Sequence, residues 1–277
     1  MCGIAGIFSL TSEVSSTQLE KMAAAIAHRG PDDMGYWQAP KMGLAQTRLS
    51  IIDLSGGHQP LVQGGLALAA NGEVYNHIEL REWLEEQGRQ FATHSDSETI
   101  LHAYAVDPQG YLDRLRGMYA FALFDEQAKT LTLARDRLGI KPLFYTQVDG
   151  QLLFASEIKA LLVVMPRTPQ INPAALYQYL ENQFSSGRET LFEGIYRVLP
   201  SEVMTIDHQL NISRRQYWDA NSIAARETDF DTAQAEFNEL FDTVMVEHMR
   251  ADVPFGLFLS GGTNTAILAS PLSRRQD

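Results

Sequence analysis

The sequence is poor in cysteine, in cations and in long apolar runs, and each shortage removes a class of protein. Its one cysteine, Cys2, forbids an intrachain disulfide and gives no reason to place the chain in an oxidising compartment. Lys and Arg number 22 against 34 Asp and Glu, so the net charge is −12 and no basic stripe suits a general nucleic-acid surface. No apolar run approaches the ~18 residues that a membrane span requires. The apolar stretch 4–10 has no basic segment before it, so it does not read as a signal peptide. The seven histidines lack metal-ligand spacing, and His94 and His102 read as helix-surface or capping residues; no metal is expected in the first domain. Repeats and low-complexity tracts are absent. The expectation is a soluble, cytoplasmic protein of 277 residues, 45% hydrophobic and 20% charged.

What is present begins at residue 2. Met is readily trimmed before a small side chain, and removing Met1 would put a thiol and a free α-amine on one residue. Their ordinary pKa values, near ~8.5 and ~7.7–8.0, are close enough for the amine to act as the base that activates its own side chain. Taken alone, a cysteine at a terminus is an incidental residue; the rest of the chain decides otherwise.

Residues 17–28 carry Leu19, Met22, Ala23 and Ile26 at helical spacing, and 78–87 and 97–105 read as further amphipathic helices. Strand pieces are expected at 2–8, 43–45 and 48–52, and 66–70 is an apolar run before Asn71-Gly72, a common turn dipeptide. Two hairpins follow, 118–124 with 130–134 and 143–147 with 152–155, which point to antiparallel sheets. Helices with hairpin sheets imply an α+β layered domain. Pro166 and Pro169 suggest a boundary, giving domains 1–165 and 166–277. Beyond it, a helix starts at Asn172-Pro173, a long amphipathic helix spans 230–249, and a strand at 255–259 runs into Ser260-Gly261-Gly262. A strand entering a glycine turn before a helix suits phosphate. Only fifteen residues follow Gly262, so this element reads as the start of an incomplete α/β domain.

Six segments together resemble the glutamine-hydrolysing asparagine synthetases. They are Met1-Cys2-Gly3-Ile4, His28-Arg29-Gly30-Pro31-Asp32, Arg48-Leu49-Ser50-Ile51-Ile52-Asp53, Asn71-Gly72-Glu73-Val74-Tyr75-Asn76, the run from Arg135 through Lys141 to Leu143, and Ser156-Glu157-Ile158-Lys159-Ala160-Leu161. The resemblance implies a class II glutamine amidotransferase with the four-layer αββα sandwich of the N-terminal nucleophile hydrolases. It implies that Cys2 attacks the side-chain amide of L-glutamine, and that the Asn71 side chain and Gly72 N–H form the oxyanion hole. It also implies that Arg48 binds the α-carboxylate, that Glu73 and Asp96 face the α-amine, and that Leu49, Ser50, Ile51 and Ile52 present backbone to the pocket. In that family the ammonia passes to an aspartate activated by ATP and Mg2+; the glutaminase step needs no cofactor. A homodimer or a separate synthetase chain is an admissible partner.

One departure stands out. The family's phosphate loop reads Ser-Gly-Gly-x-Asp-Ser, whereas this chain has Ser260-Gly261-Gly262-Thr263-Asn264-Thr265. Without that carboxylate a hard cation loses its preferred ligand, so an ATP site here is doubtful and asparagine synthesis by this polypeptide is not expected. Two alternatives stay open: an amidotransferase with another acceptor, and a non-catalytic remnant that serves as a binding or regulatory subunit.

Overall fold

The computed structural model describes residues 1–11 and 13–273, with side chains to residue 269. In chain order the elements are β1 (Gly3–Ser9), α1 (Ser16–Ala25), β2 (Asp33–Ala39), β3 (Met42–Arg48), β4 (Leu61–Gln63), β5 (Leu66–Val74), α2 (His77–Glu86), α3 (Glu98–Val106), α4 (Tyr111–Arg114), β6 (Gly117–Asp125) and β7 (Thr130–Arg135). Then come β8 (Phe144–Val148), β9 (Gln151–Ala155), α5 (Ile158–Leu162), α6 (Pro173–Asn182), β10 (Tyr196–Arg197), β11 (Glu202–Ile206), β12 (Ile212–Gln216), α7 (Phe230–His248) and α8 (Thr263–Ser273). The strands make two six-stranded antiparallel sheets, ordered β10-β8-β9-β1-β3-β2 and β12-β11-β7-β6-β5-β4.

Strand alternation explains why the sheets stack. In β1, Ile4 and Phe8 point between the sheets, while Ala5 and Ile7 point to the layer of α1 and α5. In β6, Ala120, Ala122 and Phe124 face inward, and Tyr119, Phe121 and Leu123 pack on the helical side with Leu80, Leu84, Ile100 and Leu112. Both faces of both sheets are therefore covered, which gives the expected four layers. Each large side chain so buried contributes roughly 1.5–3 kcal/mol. Small residues at the centre, Ala67, Ala69, Ala120 and Ala122, let the sheets approach closely.

Five expectations need correction. The prolines at 166 and 169 do not close the sandwich: β10 pairs with β8, and β11 pairs with β7, so the layers continue to Gln216. Asn71-Gly72 is no turn but lies inside β5, opposite Ala120 and Tyr119. A Cβ on Gly72 would sit 2.1 Å from the Met118 carbonyl oxygen, so this close strand approach requires glycine. Residues 49–52 form a loop rather than a strand, because Arg48 Nη2 bonds the carbonyls of Ile52 (3.0 Å) and Asp53 (2.6 Å) and bends the chain around itself. Residues 255–259 pair with no strand among the described residues, and Phe258 is 96% exposed. His102 also differs: it is buried, bonded to Glu98 (3.2 Å) and Arg89 (3.1 Å). Among the described residues no helix is long and apolar enough to cross a membrane.

Candidate active site

The N-terminus of the central strand β1 opens onto the edge of the interface between the sheets. Cys2 lies just before that strand, and its carbonyl accepts a 2.9 Å hydrogen bond from Arg29 Nε. Arg29 is held in turn by Glu157 Oε1, 2.9 Å from its Nη1. The thiol rests on the backbone of Leu49, whose N–H donates to Sγ at 3.4 Å. Three segments far apart in sequence thus hold Cys2 in place. With Met1 in place the α-amine belongs to Met1, and Cys2 contributes an amide nitrogen.

Across from the thiol, β5 carries Asn71, Gly72 and Glu73. The Asn71 side chain is fully buried, yet neither Nδ2 nor Oδ1 has a hydrogen-bond partner. Gln46 on β3 lies in the same layer, with Nε2 bonded to the Ala70 carbonyl (3.3 Å) and Oε1 also unpaired. Asp96 is buried and accepts from the Val74 N–H at 2.7 Å, pinning the end of β5 directly after Glu73. Ser50 N–H donates to Asp32 Oδ2 at 2.8 Å, which anchors the 49–52 loop to the segment after α1.

Electrostatics follow from this crowding. Burial raises the Cys2 thiol above its ordinary range, and the Leu49 N–H opposes that rise. Burial lowers the Met1 α-amine. Both groups are thereby biased toward their neutral forms at rest. Burial, reinforced by the Asp96 carboxyl, pushes Glu73 up to about 8, and burial likewise raises Asp96. The pair resists carrying two charges until a cation joins it. Lys141 is buried beside this group, its own pKa lowered by burial and lifted by Glu73 and Cys2.

The structure therefore gathers Cys2, Leu49, Asn71, Gly72, Glu73 and Asp96, with the loop of Arg48, Ser50, Ile51 and Ile52 on one flank. Ile51, Ile52 and Glu73 also line a cavity of about 440 Å³, whose other walls include Glu247, His248, Arg250 and Val253. Ser260, Gly261 and Gly262 lie elsewhere, exposed at the start of α8, where Ser260 Oγ meets Thr265 Oγ1 at 3.3 Å. Sequence reasoning assigned no role to Arg29, Asp32, Asp53 or Lys141. Their signal was available, since all four are charged residues within the strings that carried the resemblance.

A two-sheet sandwich with helical outer layers and a nucleophile at the mouth of a central strand defines the N-terminal nucleophile hydrolase fold. Solved structures agree: 78% of this chain matches the Bacillus subtilis glutamine phosphoribosylpyrophosphate amidotransferase bound to ADP and GMP, with TM-score 0.56, 21% identity and 49% of that chain covered. A second match, an allosteric regulatory enzyme of purine biosynthesis, gives TM-score 0.57 at 21% identity, over 78% of this chain and 49% of that one. The family model of the glutamine amidotransferase domain matches residues 1–218, and the chain belongs to that family. Similar curated proteins include asparagine synthetase [glutamine-hydrolyzing] 1 of Bacillus subtilis, 38% identical over 98% of this chain and 43% of its own length. Asparagine synthetase B [glutamine-hydrolyzing] of Escherichia coli is 34% identical over 98% of this chain and 44% of its own. The chain thus spans less than half the length of these relatives.

Proposed function

We propose that this chain hydrolyses L-glutamine to glutamate and ammonia, as the glutaminase part of an asparagine synthetase-type amidotransferase. The observation that carries the reading is the Asn71 amide: fully buried, facing the site, and without a protein partner for either polar atom. An unpaired buried amide costs about 1–3 kcal/mol, and a ligand oxygen at the site would supply the missing acceptor for its N–H.

The chemistry follows from the neighbours. With Met1 removed, the Cys2 α-amine takes the thiol proton as sulfur attacks the amide carbon of glutamine. The oxygen gains a negative charge and accepts hydrogen bonds from Asn71 Nδ2 and the Gly72 N–H. The amine returns its proton to the departing nitrogen, which leaves as ammonia. Water then cleaves the thioester, releasing glutamate and restoring the thiol. A thiol that burial holds in its neutral form at rest suits this order, because the proton moves only as the new bond forms. Arg48 supplies a cation for the α-carboxylate, and Glu73 with Asp96 supplies the anion for the α-ammonium, which draws the buried pair into its charged form.

The acceptor proposed for the ammonia is aspartate, after the names of the relatives. Mg-ATP is a poorer fit to this chain's own residues. Asn264 carries no charge, the glycine turn at 261–262 is exposed, and Gly261 has no atom within 4 Å of where a Cβ would stand. No step is routed through the nucleotide. The altered loop favours a glutaminase whose synthetase chemistry does not depend on residues 260–265. A single unpaired cysteine and an acidic surface suit a reducing cytoplasm.

Ammonia release from glutamine by the full chain, with and without aspartate and ATP, tests the reading. Activity lost in Cys2→Ala and indifferent to ATP is the expected result. Release that persists unchanged in Cys2→Ala would remove Cys2 from the mechanism.

A further inference from the structure

Beyond α7 the chain crosses both loops that flank the proposed glutamine pocket. Asp252 donates its N–H to the Ile51 carbonyl at 2.9 Å and accepts the Asp53 N–H on Oδ2 at 2.6 Å. Two residues earlier, Arg250 Nη1 donates to the Tyr75 carbonyl at 2.5 Å and to Glu79 Oε2 at 2.7 Å. Arg116 Nη2 bonds the buried Glu247 at 2.5 Å, and the His248 ring lies on Tyr75 with centroids 3.9 Å apart. One short stretch, 247–252, thus grips the end of the 49–53 loop and the residue two beyond Glu73.

Asp53 is the joint through which this grip reaches the pocket. Its backbone holds a left-handed φ of 53°, uncommon for a residue with a side chain, so something must hold it there. Its carbonyl accepts Arg48 Nη2 (2.6 Å), Oδ1 accepts the Gly56 N–H (2.9 Å), and Oδ2 accepts the His94 N–H (2.8 Å). Gly57 leaves room for this arrangement, since a Cβ there would come within 2.2 Å of Arg48 Nη2. One residue therefore ties the guanidinium of Arg48 to the segment that leads into Asp96. Its N–H is held by Asp252.

We propose that Asp252 and Arg250 are positioning residues for glutamine: Asp252 sets the 51–53 loop and hence Arg48, and Arg250 sets the strand end that carries Glu73. The proposal rests on the glutaminase reading for its ligand but not for its geometry. Because the same segment continues toward Ser260-Gly261-Gly262, glutamine affinity reports where that segment lies. By linkage, whatever binds and displaces it must respond to glutamine in the opposite sense.

The test uses the full chain. Asp252→Ala raises the KM for glutamine about tenfold with kcat within about twofold, the pattern of a lost binding contact. Asp252→Asn keeps an oxygen for the Asp53 N–H and restores KM to near the parent value. Arg250→Ala raises KM by a similar factor, whereas Glu236→Gln, on the open face of α7, leaves it unchanged. A KM unchanged in Asp252→Ala, or an Asp252→Asn as impaired as Asp252→Ala, overturns the proposal. A second readout needs no turnover: amide exchange at Gly56 and His94, both bonded to the Asp53 carboxylate, accelerates in Asp252→Ala. Unchanged exchange at those two amides overturns the positioning role by itself. Absence of ammonia release by the parent chain, with faster exchange in the variant, sinks the glutaminase reading and leaves the grip standing.

Discussion

Two helices with the same kind of amphipathic stripe meet opposite fates. In α1, Leu19, Met22 and Ala23 are 1%, 0% and 0% exposed, pressed against β1 and β3. In α7, Phe237 and Leu240 stand 60% and 63% exposed, and the Phe237 ring stacks on Phe241, 5.8 Å away in the same helix. Both helices are capped by a side chain, Ser15 for α1 and Asp229 for α7. A stripe and a cap thus determine that a helix forms. They do not determine what covers it. Only the last turns of α7, around Met245 and Glu247, are buried, and there the helix touches the sandwich rather than continuing it.

The largest effect should separate the two regions by stability. Phe121→Ala, in the buried helical face of the second sheet, should cost about 3–5 kcal/mol in denaturant unfolding. Phe237→Ala should change it by no more than about 0.5 kcal/mol. Similar losses at both sites would break the comparison, because they would mean that α7 is packed. Chemistry should divide in the same way. Asn71→Ala should lower kcat by roughly 100- to 1,000-fold, about 2.7–4 kcal/mol, with no loss of unfolding free energy, since the side chain bonds to nothing in the folded chain. A variant that unfolds more readily while keeping its kcat would return Asn71 to the structural frame.

Arg48→Ala should act more weakly on turnover. Its contact is remote from the breaking bond, so KM should rise about tenfold or more while kcat falls little. A smaller effect concerns Glu73. Its folded pKa of about 8 lies above the ordinary 4.5, so the folded chain keeps a proton that the unfolded chain gives up. The stability from that proton is fully present below pH 4.5 and is lost as pH rises through about 8. The thermal midpoint of Glu73→Gln should therefore fall less than the parent's between pH 5 and pH 9. Equal falls would place Glu73 in a solvated, unperturbed setting. The smallest effect is a null one: calorimetry with Mg-ATP should give no magnesium-dependent heat, and a tight heat of that kind would overturn the reading of Asn264.

How much of this was legible in the sequence depends on what each residue needed from afar. The hairpins β6–β7 and β8–β9 were readable because their turns and alternation are local. Asn71-Gly72 misled as a turn because a strand neighbour, the Met118 carbonyl, sets the demand for glycine at Gly72, and that neighbour is 46 residues away. The boundary at Pro166 failed for a related reason: β10, β11 and β12 are short, β8 and β7 place β10 and β11, and β11 in turn places β12. In the site, Cys2, Arg48, Asn71, Gly72, Glu73 and Asp96 were named through family likeness. The residues that hold them, Arg29, Asp53 and Asp136, show their purpose only in hydrogen bonds. Asp136 alone accepts the N–H groups of Tyr119, Leu138, Ile140 and Lys141, which no spacing rule would have indicated.

The inner position of β1 limits how this polypeptide can be extended. Its first residue, Gly3, pairs with Thr47, and the strand lies between β3 and β9, so Cys2 sits directly at the start of an inner strand. Any peptide joined ahead of Cys2, an affinity tag included, masks the α-amine that the proposed mechanism needs. Such a fusion protein should fold normally and be inert until a protease frees Cys2.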